Sequence, residues 1–277
     1  MKKLIETIKN IFKIEELRKR ILFTLSLLLV YRFGSFVVIP GINPAALNDL
    51  QSQVDGNGLL GLLNIFSGGA FSNASIFALG IMPYISASIV VQLLGIAVPY
   101  FQRMQREGES GRRKINQITR YLTIIILILQ GSAYLTNLHA QIQPEFFLIK
   151  GAFFTIYSVI ILAAGSMFVL WLGEKITDKG IGNGVSIIIM IGIIARLPFA
   201  FFAELTSRVS QQGGGLVAFL IEIILLFFVF CGTILLVQGT RKVPVQYAKR
   251  IVGNKQYGGV RQYIPLKINA AGVMPII

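Results

Sequence analysis

Long apolar runs alternate with short polar connectors along this chain. A helix needs about 20 predominantly apolar residues to cross the hydrocarbon core of a bilayer. Six segments approach or exceed that length: Ile21 to Ile39, Ser75 to Val98, Ile118 to Leu138, Gly151 to Leu172, Val185 to Phe202 and Leu216 to Val237. A seventh apolar run opens at Asn269 and reaches Ile277, the last residue, so the chain reads as part of a longer polytopic helical membrane protein.

The pattern departs from simple spans in two places. Upstream of the second span, "NGLLGLLNIFSGGAF" holds an apolar run from Leu59 to Phe66 that is too short to cross, followed by Gly68 and Gly69. It predicts either a half-helix hinged by glycines or a helix lying in the outer interface. The span after it carries Gly80 and Pro83 as breakers within the run, with Ser75, Ser86, Ser88 and Gln92 scattered through it. Irregular backbone at membrane depth is tolerated only inside protein or beside a water-filled space, so a broken element here implies a cavity. The second departure is the connector from Gln238 to Ile268, longer than a simple link requires. Its "RKVPVQYAKR" alternates Val243, Val245 and Tyr247 with other residues, and "VGNKQYGGV" supplies turn chemistry, which together predict a basic β-hairpin.

Composition agrees with the pattern: 54% of residues are hydrophobic and only 14% charged, a balance foreign to soluble domains. Charge adds orientation. Basic residues crowd the amino-terminal segment and the connectors after the second, fourth and sixth spans, whereas none lies between Pro40 and Ala74. The positive-inside rule therefore places the amino terminus and the basic connectors in the cytoplasm. The net charge of +14 is thus concentrated on one membrane face. Topogenic signalling with attraction to anionic lipid accounts for the short connectors, and docking of an acidic partner is an equal alternative for the long one. Leu4, Ile8, Ile11 and Ile14 fall near one face of an amphipathic interfacial helix from Leu4 to Leu17.

Candidate chemistry is sparse. The first twenty residues carry no signal-peptide pattern. Cys231 is alone in the sixth span and His139 alone after the third, which leaves no disulfide, metal cluster or nucleophile-base pair. Arg32, Arg196 and Glu222 lie near span ends, where snorkelling to the interface accounts for them. No GxxxxGK[ST] loop is present to bind nucleotide. These features argue against an enzyme and call for no cofactor. Ile81 and Ile85, and again Val185 and Ile189 after "GIGNG", stand four apart on one helix face; alone, that spacing implies lipid contact or packing.

Several stretches together resemble the SecY family, the central subunit of bacterial protein-conducting channels. They are "RFGSFVVIPGI", "FSGGAFSNASIFALGIMPYISASIVVQLL", "EGESGRRKINQITRY", "MFVLWLGEKITDKGIGNGVSIII", and "YAKR" with "PLKINAAGVMPI". The resemblance implies an all-α bundle of ten helices in two pseudo-symmetric halves around an hourglass pore. The chain would supply an amino-terminal amphipathic segment (1–20), the first five-helix half (21–205), and the sixth span with the start of the seventh (206–277). It further implies a plug over 59–74 that includes Leu59, Leu62, Leu63, Asn64, Phe66, Gly68 and Gly69, and a pore ring of Ile81, Ile85, Val185, Ile189 and Ile277. Ser86, Ile89 and Gln92 match a lateral gate. Arg241, Lys249, Arg250, Lys255 and Arg261, in the loop 238–268, match the surface that docks the ribosome or the SecA ATPase. SecE and SecG subunits, signal sequences, unfolded chains and anionic lipids are the further partners implied, in the bacterial cytoplasmic membrane. The function implied is a passive channel for export and lateral insertion, driven from outside. A small-solute transporter with a broken helix at its substrate site remains an alternative reading, as does a partial chain that is inactive by itself.

Overall fold

The computed structural model describes residues 13–44, 58–149, 151–210, 215–246, 250–252, 255–257 and 261–267. Among the described residues eight α-helices precede four short strands: α1 Glu15–Gly34, α2 Gly58–Phe66, α3 Met82–Ala97, α4 Pro99–Arg106, α5 Glu109–Gln141, α6 Ala152–Lys179, α7 Gly184–Ser210 and α8 Gly215–Gln238, then β1 Thr240–Gln246, β2 Arg250–Val252, β3 Lys255–Tyr257 and β4 Arg261–Lys267. The chain divides into two compact units, residues 1–200 and 201–277.

In the first unit α6 packs against both α1 and α5, and α5 packs against α3. Each helix buries one stripe. α1 buries Thr24, Leu28, Tyr31 and Gly34 at helical spacing, while Leu25, Leu29 and Phe33 on its other faces stay exposed, as suits a helix with lipid on one side. Two layers of core result. One joins Ile39, Phe71 and Leu79 to Leu127, Leu135 and Leu138 of α5 and to Phe154 and Leu162 of α6; the other joins Leu28, Tyr31, Phe77 and Ile81 to Val169, Leu172 and Ile176 of α6 and Ile188 of α7.

Among the described residues four helices, α5, α6, α7 and α8, are long and apolar enough to cross a membrane, and the bent pair α3–α4 would make a fifth if taken as one span. The four cover the third to sixth expected spans and run past the apolar stretches, α5 from Glu109 and α6 to Lys179. α1 has the length, yet Arg18, Lys19 and Arg20 at one end and Arg32 at the other make it a charged-ended helix, and it stops at Gly34 rather than Ile39. The expected second span is overturned. Instead of one helix from Ser75 to Val98, the helix begins at Met82 and has 16 residues, about 24 Å at 1.5 Å per residue. Gly80, in the left-handed region at φ 53°, and Pro83, in the first turn, start this helix and do not break it.

Residues 67–81, which hold the end of the expected plug region and the first seven residues of that expected span, form a compact chain of turns in which every residue but Asn73 and Ile76 is buried. Its backbone finds partners outside helices. Ile39 N–H donates to Ala74 O and Ile76 N–H to Val37 O, both at 2.9 Å, so the strand-like chain after α1 is sewn to it. At Val98 the helix pair α3–α4 bends by 98°, and Pro99 opens α4 with Arg103 and Arg106 in its last turn. Where α5 and α6 emerge on the basic side, Arg120 Nη2 reaches both carboxylate oxygens of Glu174 at 2.7 Å.

The second unit is different in kind. None of the most apolar window of α8 is buried, and its apolar residues face outward all round. Arg208 at the end of α7 donates to Glu204 and Glu222, each at 2.7 Å, so Glu222 is ion-paired where snorkelling was expected. The expected basic hairpin forms as antiparallel pairs, β1 with β4 from Thr240↔Lys267 to Gln246↔Arg261, and β2 with β3 from Arg250↔Tyr257 to Val252↔Lys255.

Candidate functional site

A small cleft lined largely by aliphatic side chains lies where α2, the buried turns, α3 and α7 meet. Phe66 and Ser67 at the end of α2, Gly80 and Ile81 before α3, Ile85 within it, Ile188 and Ile189 of α7 and Tyr31 of α1 line a cleft of about 10 Å³. That volume is at the lower limit for a single water. Three of the aliphatic residues singled out by sequence thus meet here, Ile81 buried and Ile85 and Ile189 half-buried.

Local chemistry explains how they are brought together. Ile81 is the N-cap residue of α3, and its carbonyl accepts from the N–H groups of Tyr84 at 3.0 Å and Ile85 at 3.1 Å, so the first turn of the helix points both isoleucines to one side. Val185 sits one turn before Ile189 and packs against the same core layer as Ile81 and Ile188. Its Cγ2 lies 3.1 Å from where a Cβ on Gly173 of α6 would stand, and it does not line the cleft. Ile277 lies outside the described residues.

α2 realises the short helix expected from Leu59 to Phe66. Leu59 and Leu62 lie on it, and Leu63 packs against the first core layer. Asn64 is fully buried and organises the turn that follows. Its side-chain Oδ1 accepts from Ser72 N–H at 3.1 Å, and its carbonyl accepts from Gly69 N–H at 2.9 Å and the Ser67 hydroxyl at 3.1 Å. Asn64 Nδ2 has no hydrogen-bond partner among the described residues. Gly68 and Gly69 both have positive φ, 66° and 89°, which is why only glycine suits them. Gly68 also lies against α7: a Cβ there would stand 2.9 Å from Gly192 Cα. The side chain of Arg196 passes Gly69, its Nε 3.5 Å from where a Cβ would be.

Several contributors were illegible in the sequence. Tyr31 donates to Ser67 O at 3.3 Å and Arg32 Nη1 to Gly68 O at 2.8 Å, so Arg32 binds the turn where snorkelling was expected. Tyr134 of α5 donates to Phe71 O at 2.9 Å. All three partners are backbone carbonyls, which leave no mark in a sequence. Gly192 carried no signal either.

Ser86, Ile89 and Gln92 lie on α3 away from its buried stripe of Pro83, Ala87, Val91 and Gly95; Ser86 and Ile89 are half-buried and Gln92 is exposed, donating to the Ser88 hydroxyl at 3.3 Å. Arg241 lies on β1, Arg250 on β2, Lys255 on β3 and Arg261 on β4, on the paired strands of the ribbon. Lys249 lies outside the described residues, as does most of the expected amphipathic helix from Leu4 to Leu17. Among the described residues no group of three His, Cys, Asp or Glu side chains could hold a metal ion.

With this geometry in hand, comparison with known proteins is informative. The sequence pattern of the SecY family matches residues 75–277. A protein translocase subunit SecY of Streptomyces coelicolor is 43% identical over 279 residues, covering 96% of this chain and 62% of the relative, so the chain spans about three-fifths of that protein's length. Two solved structures share the fold. One is a SecY protein whose plug domain stabilises the closed state of the translocation channel and maintains a membrane seal, with TM-score 0.54 and 19% identity over 94% of this chain and 54% of that one. The other is Sec61 in the canine ribosome-channel complex from the endoplasmic reticulum, with TM-score 0.51 and 19% identity over 88% of this chain and 53% of that one.

Proposed function

This chain belongs to the SecY family, and we propose that it forms the amino-terminal part of a passive channel through which unfolded proteins cross the bacterial cytoplasmic membrane or leave sideways into it. The observation that carries this is the cleft in which Ile81, Ile85 and Ile189 close over the end of α2 with about 10 Å³ to spare. A narrow aliphatic constriction cannot replace an ion's hydration shell and gates by dewetting, yet its side chains can splay around an extended polypeptide. Such a constriction also binds nothing. A translocating chain presents every side-chain type in turn, so indifference is the property required of the wall.

In this reading Ile277 joins Ile81, Ile85 and Ile189 in the ring, Val185 stands one turn from Ile189 outside the lining of the cleft, and α2 with its glycine turn is the plug. The plug of the SecY structure of similar fold stabilises the closed state and maintains a membrane seal, which supports that role for α2. Ser86, Ile89 and Gln92 form one side of a lateral gate for signal sequences. A weakly polar seam suits a gate, because an interhelical hydrogen bond in a membrane averages only about 0.6 kcal/mol and an entering helix can compete for it.

The amino terminus and the β-ribbon face the cytoplasm, where the basic residues accumulate. Arg241, Lys249, Arg250, Lys255 and Arg261 there dock the ribosome through RNA phosphates, or the SecA ATPase, which supplies the driving energy. The ribosome-bound Sec61 of similar fold supports the first of these partners. SecE and SecG complete the complex, and anionic lipid surrounds it. The protein is a non-catalytic subunit of its assembly.

The test is made on the full-length protein in sealed vesicles. Replacing Ile81→Ser and Ile85→Ser together should raise resting ion conductance on the order of tenfold while export of an unfolded substrate continues. Unchanged conductance would assign the two isoleucines to packing and remove the basis of the proposal.

A further inference from the structure

The turn after α2 offers its backbone carbonyls to side chains of other helices, and two of the donors are consecutive residues of α1. Tyr31 donates to Ser67 O and Arg32 to Gly68 O. Tyr31 is fixed by its own surroundings: it is nearly fully buried, and its ring stacks on Phe77 at 6.2 Å and 8°. Arg32 differs in chemistry. A guanidinium is permanently charged, and its bonds to oxygen are shorter and stronger than those between neutral groups. At 2.8 Å the contact with Gly68 O has that character. The other side of the guanidinium is occupied by the Phe36 ring, whose centroid lies 4.8 Å from Cζ, so the head of the side chain is held on two sides.

Gly68 is gripped from the opposite direction as well, since its Cα region touches the backbone of Gly192 in α7. Gly68, two residues after the end of α2, therefore touches both a charged donor on α1 and the helix that contributes Ile189 to the constriction. An arginine that merely snorkelled would reach for headgroups and water. This one reaches inward to the carbonyl of a glycine turn.

We propose that Arg32 is a positioning residue for the plug: its guanidinium, steadied by Phe36, tethers the base of α2 through Gly68 O, so that α1 sets how readily α2 leaves the constriction. The proposal rests on the reading of α2 as a plug. Because the acceptor is main-chain, no side-chain change within the turn removes the tether, whereas a change at position 32 does.

Full-length channel in sealed vesicles, without substrate, is compared by its resting ion leak. Arg32→Leu should raise the leak about tenfold, the population shift expected from losing one charge-assisted hydrogen bond. Arg32→Lys should recover part of the seal, since an ammonium still donates one bond but lacks the flat face that lies on Phe36. Phe36 is 59% exposed, so Phe36→Leu tests the same contact at little risk to folding and should give a smaller rise in the same direction. The decisive arm repeats Arg32→Leu in a channel lacking residues 58–66, where no further leak is expected because nothing remains to tether. An equal increment on both backgrounds would overturn the proposal and make Arg32 a support of the channel wall, and so would no change in any Arg32 or Phe36 variant. A deletion of 58–66 that leaves the channel tight would sink the plug reading itself, a failure visible without any change at Arg32.

Discussion

Residues 67–81, in which small and polar residues alternate with apolar ones, and helix α8, apolar almost throughout, both have to satisfy their backbone away from water, and they do so in opposite ways. The first is almost wholly buried and has no regular structure; the second is a single helix of 24 residues with none of its most apolar window buried. A helix satisfies its own N–H and C=O groups, so α8 can meet lipid on every face and depends on no neighbour for its backbone. The turn chain has no such independence. Some of its carbonyls accept from its own amides, but those of Ser67, Gly68 and Phe71 also take Tyr31, Arg32 and Tyr134, the amide of Ser72 is served by Asn64, and the edge is paired with the residues after α1. Irregular backbone thus has its partners, and a constriction can be built from it, only where surrounding helices supply donors and acceptors in register. Sensitivity to substitution should follow that division, and the same chemical change should have opposite effects in the two regions.

The largest effect is expected where α6 passes the turns. A Cβ placed on Gly165 would collide with the backbone carbonyl of Ile76, a residue of the turn chain whose N–H is bonded to Val37 O. In mid-helix, Gly→Ala ordinarily stabilises by about 0.5–1 kcal/mol. Here the collision should win, since overpacking against fixed backbone costs roughly 1–3 kcal/mol or more. Gly165→Ala should therefore lower the thermal midpoint of the detergent-solubilised full-length protein by several degrees. A raised midpoint would mean that the turns yield, and the contrast with α8 would lose its basis.

A smaller loss is expected at Tyr134. Its ring stays in the core against Phe71, with centroids 4.8 Å apart, when only the hydroxyl is removed. Tyr134→Phe keeps that packing and leaves Phe71 O with only the longer bond from Ala74 N–H at 3.3 Å, the loss of one hydrogen bond worth about 0.5–1.5 kcal/mol. Hydrogen exchange at the turn amides should quicken in this variant while exchange in α8 stays as it was. Equal quickening in both places would show that the turn chain is not a separately supported element.

How far the sequence reveals this arrangement follows from the same contrast. α5, α6, α7 and α8 were legible because long apolar periodicity is the signal of a self-sufficient helix. The β-ribbon was legible through alternation and turn residues. The stretch from Ser75 to Ile81 was misread as helix, because a buried apolar run and a spanning one have the same hydropathy. Gly80 with Pro83 held the correction, a left-handed turn followed by proline at the start of a helix, but they read equally as breakers within one. At the cleft, Ile81, Ile85 and Ile189 could be singled out by spacing and resemblance. Arg32 could not, since a guanidinium bound to a carbonyl and one snorkelling to the interface are written with the same letter.

The smallest effect, and the only stabilising one, belongs to α8. Gly232 lies in that helix, and a Cβ there would meet no described atom within 4 Å. Nothing opposes the ordinary preference, so Gly232→Ala should stabilise by about 0.5–1 kcal/mol through the smaller backbone entropy lost on ordering alanine. The thermal midpoint should rise slightly or stay level, opposite in sign to Gly165→Ala. The two substitutions differ only in what stands beside them, no described atom within 4 Å in one case and the carbonyl of Ile76 in the other. A fall at Gly232 comparable to that at Gly165 would show that α8 packs as tightly against protein as α6 does, and that its exposed surface is an interface rather than a lipid-facing wall.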